Sequence, residues 1–394
     1  MDRRAFLGVL GVGVTGLSGC LRLREGLSGE QATTESDTSG SSSERGEITL
    51  TENWTAEDGI EHIWTDGGTF HFNGYNVAAQ AEHGGGVLWS DETSYDGVDE
   101  NLGADAFATD GRHVVFGYTP DPDGNEQVGG HFHAYDTVSE EKVWTFSAPS
   151  DGKHNFTAGA TMVDDVVAVA TTDYGREGNQ EPLVAGIDVN SGEELWRSGP
   201  STISPGFVQY LGSYAGNVYV TTTGSGTQIL DPETGSVTGS RESWRLSKHM
   251  GDSLARIHME TLFGVHFWSG GLHTYPIGDN GLEWSRDDVG TVTAGPTVDN
   301  SLVVVGNESG TVRAFERLNG EPRWDARIEG PVGAVELSAR DVWVSDMGTG
   351  LAAFDRETGD RVYQSTQPVN DSDLAVIDDV ILFGGNEAHA FWIE

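Results

Sequence analysis

The N-terminal residues have the types and spacing of an export and lipidation signal. Arg3 and Arg4 form a twin-arginine pair ahead of a short apolar stretch, and the sequence Leu17-Ser-Gly-Cys20 follows. The small residues suit signal cleavage, and the thiol of Cys20 can then accept a lipid. The apolar stretch is too short to span a bilayer stably. We therefore expect residues 1–20 to be a twin-arginine lipoprotein signal that anchors the protein on the extracytoplasmic face of the cell membrane.

The chain has a single cysteine, which lies at the end of this signal. Cys20 is the only cysteine in the sequence, so no disulfide can form within one chain. The alternative interpretation is an uncleaved anchor that ends in an unmodified thiol. Residues 21–46 are rich in Ser, Thr, Glu and Gly and contain no aromatic residue. That composition predicts a disordered tether between the anchor and the rest of the protein.

A second candidate site is a basic stretch in an otherwise acidic chain. It contains Arg241, Arg245, Lys248 and Arg256. Guanidinium groups bind carboxylate or phosphate groups through paired hydrogen bonds, so this stretch is a possible anion-binding site. The alternative is that its side chains form salt bridges with the acidic surface.

A pair of histidines is the third candidate. His131 and His133 are two residues apart, which places both imidazoles on one face of a strand. No third ligand is evident, so we predict that the protein has no metal site. We also predict no catalytic residue.

The charge of the whole chain restricts its partners. The sequence has 62 acidic and 22 basic residues, and its net charge is −40. This excess argues against nucleic acid as a partner, because binding to phosphates requires positive charge. Acid excess with only three lysines resembles haloarchaeal proteins. Self-repulsion at this charge is relieved when molar salt shortens the screening length to about 3 Å.

One short pattern recurs through the chain with a period of roughly 40 residues. In the complete copies an acidic residue precedes an aromatic one by eight positions, and a glycine lies halfway between. The Asp can start a tight turn, the Gly supplies a positive φ, and the Trp packs on a neighbouring module. The predicted structural residues of the repeat are Trp89, Asp136, Trp144, Asp188, Gly192, Trp196, Asp231, Gly235, Trp284, Gly320, Trp324, Asp355, Gly359 and Tyr363.

The repeats predict an all-β fold. Two further strand signals precede each copy, and four short strands per repeat indicate a blade of a β-propeller. The count predicts eight blades over residues 47–394, closed by pairing of residues 47–54 with residues 388–394. Segments 118–127 and 172–182 lengthen two blades between their second and third strands. The alternative fold is a β-sandwich with accidental similarity between segments.

The pattern Asp-x-x-Thr/Ser-Gly-x-x-x-Trp resembles the tryptophan-docking repeat of quinoprotein alcohol dehydrogenases and of their non-catalytic relatives, the PQQ-like repeat proteins. These relatives include the lipoprotein subunit of the bacterial outer-membrane assembly machine. The chain departs from the pattern at Glu140, which stands in place of Gly, and at Gly239, which stands in place of Trp. The resemblance implies an eight-bladed propeller over nearly all of residues 47–394. In the dehydrogenases a disulfide of adjacent cysteines holds the quinone, and this propeller contains no cysteine.

These observations favour a non-catalytic cell-surface lipoprotein that acts as a binding or assembly scaffold. We expect no bound cofactor, a monomeric chain, a protein partner of unknown identity and attachment to the membrane through the lipid. The alternatives are an exported PQQ-dependent dehydrogenase and a ligand-sensing module.

The charge generates a testable prediction. We expect cooperative folding to be lost below about 0.5 M monovalent salt, because weaker screening leaves the acidic surface repelling itself. Circular dichroism through a dialysis series measures this loss. A melting curve that is unchanged at about 50 mM salt would contradict the prediction.

Overall fold

The part of the chain that the structure describes contains eight four-stranded antiparallel sheets, which confirms the predicted blade count. The architecture comes from a computed structural model, and every secondary-structure element named in its described part is a β-strand. The residues that the structure describes are 48–56, 62–66, 69–73, 77–82, 86–92, 101–120, 130–149, 155–174, 180–249, 252–266, 269–279, 281–346, 350–365, 374–383 and 388–394.

The strands are numbered in chain order, and each blade pairs its four strands in sequence. Blade 1 consists of β2 (His62–Asp66), β3 (Thr69–Asn73), β4 (Val77–Glu82) and β5 (Gly86–Glu92). Blade 2 consists of β6 (Asn101–Thr109), β7 (His113–Pro120), β8 (His131–Asp136) and β9 (Glu141–Ser147). Blade 3 consists of β10 (Asn155–Val163), β11 (Val166–Tyr174), β12 (Gln180–Asp188) and β13 (Glu194–Ser198). Blade 4 consists of β14 (Val208–Tyr214), β15 (Asn217–Thr222), β16 (Thr227–Leu230) and β17 (Val237–Arg241).

The second half of the ring repeats this arrangement. Blade 5 consists of β20 (Ala255–His258), β21 (Thr261–Val265), β22 (Leu272–Pro276) and β23 (Trp284–Arg286). Blade 6 consists of β24 (Val292–Val298), β25 (Leu302–Asn307), β26 (Thr311–Glu316) and β27 (Pro322–Arg327). Blade 7 consists of β28 (Val332–Leu337), β29 (Asp341–Asp346), β30 (Leu351–Asp355) and β31 (Arg361–Ser365). Blade 8 consists of β32 (Leu374–Ile377), β33 (Val380–Phe383), β34 (Ala388–Ile393) and β1 (Leu50–Ala56).

Burial along blade 6 shows why the strands differ in sequence. Every residue of β25 is buried, because a middle strand is covered on both faces by the neighbouring blades. On the outer strand β27, Trp324 is the one buried residue among mostly exposed neighbours. First strands of successive blades contact each other, as β24 contacts β28, so they lie nearest the ring axis.

The hydrophobic core is divided among the junctions between blades. One buried cluster joins Val304 and Trp324 of blade 6 to Val335 and Phe354 of blade 7. Another joins Val115 and Trp144 of blade 2 to buried residues of blade 3. A single blade cannot bury both of its faces, so its stability depends on its neighbours.

The first strand of the chain completes the last blade, which confirms the predicted closure. Strand β1 pairs with β34, with Leu50 opposite Ile393 and Ala56 opposite Ala388. Trp54 and Trp392 pack against the same buried cluster. Pairing the two ends in one sheet covers the sheet edge that an open ring would leave.

The connection between blades 4 and 5 is longer than the connections between the other blades. Between β17 of blade 4 and β20 of blade 5, the chain forms a small hairpin from β18 (Lys248–His249) and β19 (Asp252–Ser253). Leu246 makes an isolated bridge to His266, which fastens this connection to blade 5. We call residues 241–254 the seam segment, because they lie between two blades.

The closure leads to a prediction about stability. Deleting residues 48–56 removes β1 and opens the edge of β34, so we expect the melting temperature of the whole protein in molar salt to fall. Deleting residues 21–46 is the matched control, because it shortens the chain ahead of the ring without touching β1. Equal melting temperatures of the two deletion variants would show that β1 contributes nothing to closure.

Candidate functional site

The Asp residue of the repeat forms a tight turn. Oδ1 of Asp188 accepts hydrogen bonds from the backbone N–H of Asn190 (3.1 Å) and from the backbone N–H and hydroxyl of Ser191 (both 2.8 Å). The hydroxyl of Ser191 is the largest cause that lowers the pKa of Asp188 below its usual value. Asp231 and Asp355 accept the same set of bonds from the residues that follow them.

The glycine of the repeat is required for two reasons. Gly359 has a φ of 74°, a conformation that other residues adopt only with strain. A Cβ at Gly359 would also lie 2.7 Å from Cδ2 of Trp324 in the preceding blade. The indole of one blade therefore packs directly on the turn of the next.

A hydrogen bond holds each of these indoles in place. The nitrogen Nε1 donates to the backbone carbonyl of the residue that follows the acidic position in the next blade. Four such joints are found among the described residues, namely Trp144 to Val189 (2.7 Å), Trp196 to Pro232 (2.6 Å), Trp284 to Arg317 (3.0 Å) and Trp324 to Arg356 (2.9 Å). We call this contact the indole joint.

Three further predicted repeat positions are Tyr363, Asp136 and Trp89. Tyr363 replaces Trp in blade 7, and its ring lies 5.6 Å from that of Trp343. Asp136 keeps the turn, and the backbone N–H of Ser139 is the largest cause that lowers its pKa. The backbone of Trp89 lies in β5, but its side chain is outside the described residues.

The junction between blades 4 and 5 is built differently from the four indole joints. Gly239 stands on β17 where blades 2, 3, 5 and 6 carry Trp. Trp244, five residues later in the seam segment, is 1% exposed and stacks near Tyr219 and Tyr275, with ring centroids 5.9 Å away in both cases. An indole from the connection thus fills the junction that the strand residue leaves unfilled.

Arg241 supplies the hydrogen bond that this junction would otherwise lack. Its Nη2 donates to the carbonyl of Ile277 at 3.4 Å. Ile277 follows Pro276, the position in blade 5 that is equivalent to the turn Asp, so this carbonyl corresponds to the acceptor of an indole joint. The guanidinium carbon lies 5.8 Å from the ring centroid of Trp244.

Tyr275 fastens the seam segment from the side of blade 5. Its hydroxyl donates to the carbonyl of Ser243 at 2.9 Å. Burial raises the pKa of Tyr275 to about 12, so the phenol keeps its proton for this bond. Trp244 and Tyr275 were not among the predicted site residues. The missing Trp at position 239, with a Trp five residues later, is the sequence signal that could have identified them.

The other cations of the basic stretch face different neighbours. The charge of Arg245 contributes, after burial and His273, to lowering the pKa of His266. The charge of Arg256, on β20, acts on Tyr210, whose pKa is raised mainly by burial. The backbone of Lys248 lies in β18, and its side chain is outside the described residues. The described contacts therefore do not bring the four predicted cations to one ligand.

Two pairs of histidines lie in separate blades. His131 and His133 are both buried in β8, and Nδ1 of His131 lies 2.7 Å from the hydroxyl of Ser147. His266 and His273 stack with centroids 4.7 Å apart, and Nε2 of His273 lies 3.3 Å from Oδ1 of Asp287. Within the described ranges, no three His, Cys, Asp or Glu side chains converge in a set that could hold a metal ion.

Several predicted features lie outside the described residues. These are the export signal Arg3 and Arg4, the lipidation site Cys20, the tether, and parts of both insertions, 121–129 and 175–179. In the part of the chain that the structure covers, no helix has the length and hydropathy needed to traverse a bilayer.

Comparisons with known proteins agree with this geometry. The model of the family described as outer membrane protein assembly factor BamB matches residues 73–257 and 268–390. The crystal structure of BamB from Moraxella catarrhalis has a TM-score of 0.60 and 16% identity, and covers 87% of this chain and 100% of that one. The computationally designed protein Ika8 has a TM-score of 0.63 and 14% identity, and covers 89% of this chain and 100% of its own. Among curated proteins, none matches this chain.

The chain therefore belongs to the BamB-like family of PQQ-like repeat propellers, because the family model covers more than half of its length. This confirms the resemblance drawn from the repeat. The two solved structures share the fold at low sequence identity.

The turn of blade 2 generates a prediction, because Glu140 occupies the glycine position with a φ of 60°. Glu140→Gly should stabilise the protein by about 0.5–1 kcal/mol, since relief of a left-handed conformation exceeds the added backbone entropy of glycine. Denaturant unfolding in molar salt measures the change. Glu140→Gln is the matched control, because it removes the charge and keeps the strain. A gain of equal size in both variants would assign the effect to charge alone.

Proposed function

We propose that this protein is a non-catalytic lipoprotein, anchored on the extracytoplasmic face of the cell membrane, whose propeller is a binding or assembly scaffold. Membership of the BamB-like family is the observation that carries this proposal. The closed eight-bladed ring is compatible with it, because such a ring can present two broad faces to a partner without a conformational change.

The use of the repeat residues supports a scaffold role. The carboxylates of Asp188, Asp231 and Asp355 are engaged in turns, and four tryptophans are engaged in indole joints. These side chains hold the blades together. The connecting loops can then vary to recognise a partner, as loops on rigid scaffolds commonly do.

The absence of cysteine from the propeller sequence supports the non-catalytic part of the proposal. The resemblance to quinoprotein dehydrogenases implies a site that contains two adjacent cysteines, and the one cysteine of this chain is Cys20. No residue of this chain can supply that disulfide. This supports a protein that works without PQQ, and we propose that it holds no other cofactor.

The charge of −40 suggests the setting and the partner class. We infer a halophilic, haloarchaeal type of lipoprotein that is exported in folded form through the twin-arginine signal. Its partner is a protein rather than nucleic acid, because nucleic acid would be repelled. The chain completes its ring from its own two ends, so a monomer needs no second copy to close the fold.

The anchor provides the test. Cys20→Ser should release the protein from the membrane fraction into the medium, because it removes the thiol that would carry the lipid. Fractionation of expressing cells, with immunodetection of the chain, measures the distribution. Ser18→Ala is the matched control, since it leaves Cys20 in place. Retention of the Cys20→Ser variant on the membrane would reject the lipid anchor.

The non-catalytic part has its own readout. The protein purified in molar salt should show only aromatic absorption. A quinone absorption band that co-purifies with the chain, together with dye-linked oxidation of an alcohol, would reject the scaffold proposal in favour of a dehydrogenase.

A further inference from the structure

We propose that the seam between blades 4 and 5 binds a single chloride ion, held by the Nε–H group of Arg241 and the indole N–H group of Trp244. This inference does not depend on the scaffold function, because it rests on the seam segment alone.

Two buried donors point to an acceptor at this place. Trp244 is 1% exposed, and among the described residues no group accepts a hydrogen bond from its indole nitrogen. The Nε–H group of Arg241 is likewise buried without an acceptor in the described part of the chain. A buried donor that makes no hydrogen bond costs about 1–3 kcal/mol, so two such donors in one junction are unusual.

The two donors belong to side chains that lie beside each other. The guanidinium carbon of Arg241 is 5.8 Å from the ring centroid of Trp244. In the proposed site, one acceptor about 3 Å from each nitrogen bridges the two side chains. The other contacts of the guanidinium are to the neutral carbonyls of Ser240 and Ile277, at 3.1 and 3.4 Å. Both acceptors are neutral, and among the described residues no carboxylate forms a salt bridge with this guanidinium, so its charge favours an anion over water.

The walls of the seam favour a small ion. The rings of Tyr219 and Tyr275 flank Trp244, and Leu246 and Leu262 are buried in the same cluster. Aromatic edges carry partial positive charge and suit an anion. A carboxylate or phosphate has two or more oxygen atoms, and two N–H groups would leave part of its hydrogen-bonding capacity unmet. A monatomic anion satisfies both N–H groups at once.

The position of the site explains what the ion would do. Four other junctions are held by an indole joint, whereas this junction has Gly239 on the strand and takes its indole from the seam segment. An ion that ties Arg241 to Trp244 would complete the contact across the seam. The stability of the ring would then depend on chloride as a ligand, in addition to general screening of its acidic surface.

Thermal unfolding of the full chain at constant ionic strength tests the proposal. Sodium chloride replaces sodium gluconate stepwise at about 2 M total salt, so that screening stays constant. We expect the melting temperature of the wild-type protein to rise with chloride and to saturate. Trp244→Phe keeps the ring and removes the N–H group, so its apparent chloride affinity should be at least tenfold weaker.

Trp343→Phe is the matched control. Trp343 is also fully buried with an indole N–H that lacks an acceptor among the described residues, but it lies in a hydrophobic cluster in blades 7 and 8. This control should keep the chloride response of the wild type. Equal responses of all three proteins would overturn the proposal and assign the chloride effect to the bulk solvent.

A second measurement needs no variant, and so it does not depend on Trp244→Phe folding. In crystals grown in sodium bromide, anomalous scattering should place a bromide between Arg241 and Trp244. Density for a water molecule there, without anomalous signal, would overturn the proposal and show that water satisfies both donors.

Discussion

The hydrogen bond from an indole of one blade to a backbone carbonyl of the next is the contact on which the ring depends. It joins an outer strand, which would otherwise be mostly exposed, to the turn of its neighbour. In the joint of blades 6 and 7, Trp324 donates to the carbonyl of Arg356 while its ring lies on Gly359. The turn Asp, the glycine and the tryptophan therefore act as one unit that spans two blades, although each is assigned to a single repeat in the sequence.

This constraint explains the construction of the seam between blades 4 and 5. Where Gly239 removes the indole from the strand, Trp244 restores an aromatic ring and Arg241 restores a donor to the carbonyl of Ile277. Two side chains thus replace one, because an arginine provides the hydrogen bond and the tryptophan provides the buried area. This arrangement leaves two donors, Nε of Arg241 and Nε1 of Trp244, without an acceptor among the described residues. The indole nitrogens of the four indole joints each have one.

The position of Arg241 in the fold changes the interpretation of the basic stretch as a single anion-binding group. In the sequence, four cations within sixteen residues look like one anion-binding group. In the fold, Arg241 is part of a blade junction, Arg245 lies near His266, and Arg256 lies on a first strand near Tyr210. A chain that turns from an outer strand to an inner strand separates neighbours in sequence, because the two strands lie at opposite edges of their sheets.

The sequence by itself determined the eight blades and the closure of the ring. Both follow from local chemistry, since a repeated Asp, Gly and Trp at constant spacing define the turns, and the incomplete last copy requires a strand from the other end. Only the tertiary structure decided which carbonyl each indole binds and how the chain compensates for Gly239. Those contacts join residues more than thirty positions apart, such as Trp324 with Arg356 and Arg241 with Ile277. No spacing within one repeat specifies them, because their geometry is set by how neighbouring blades pack.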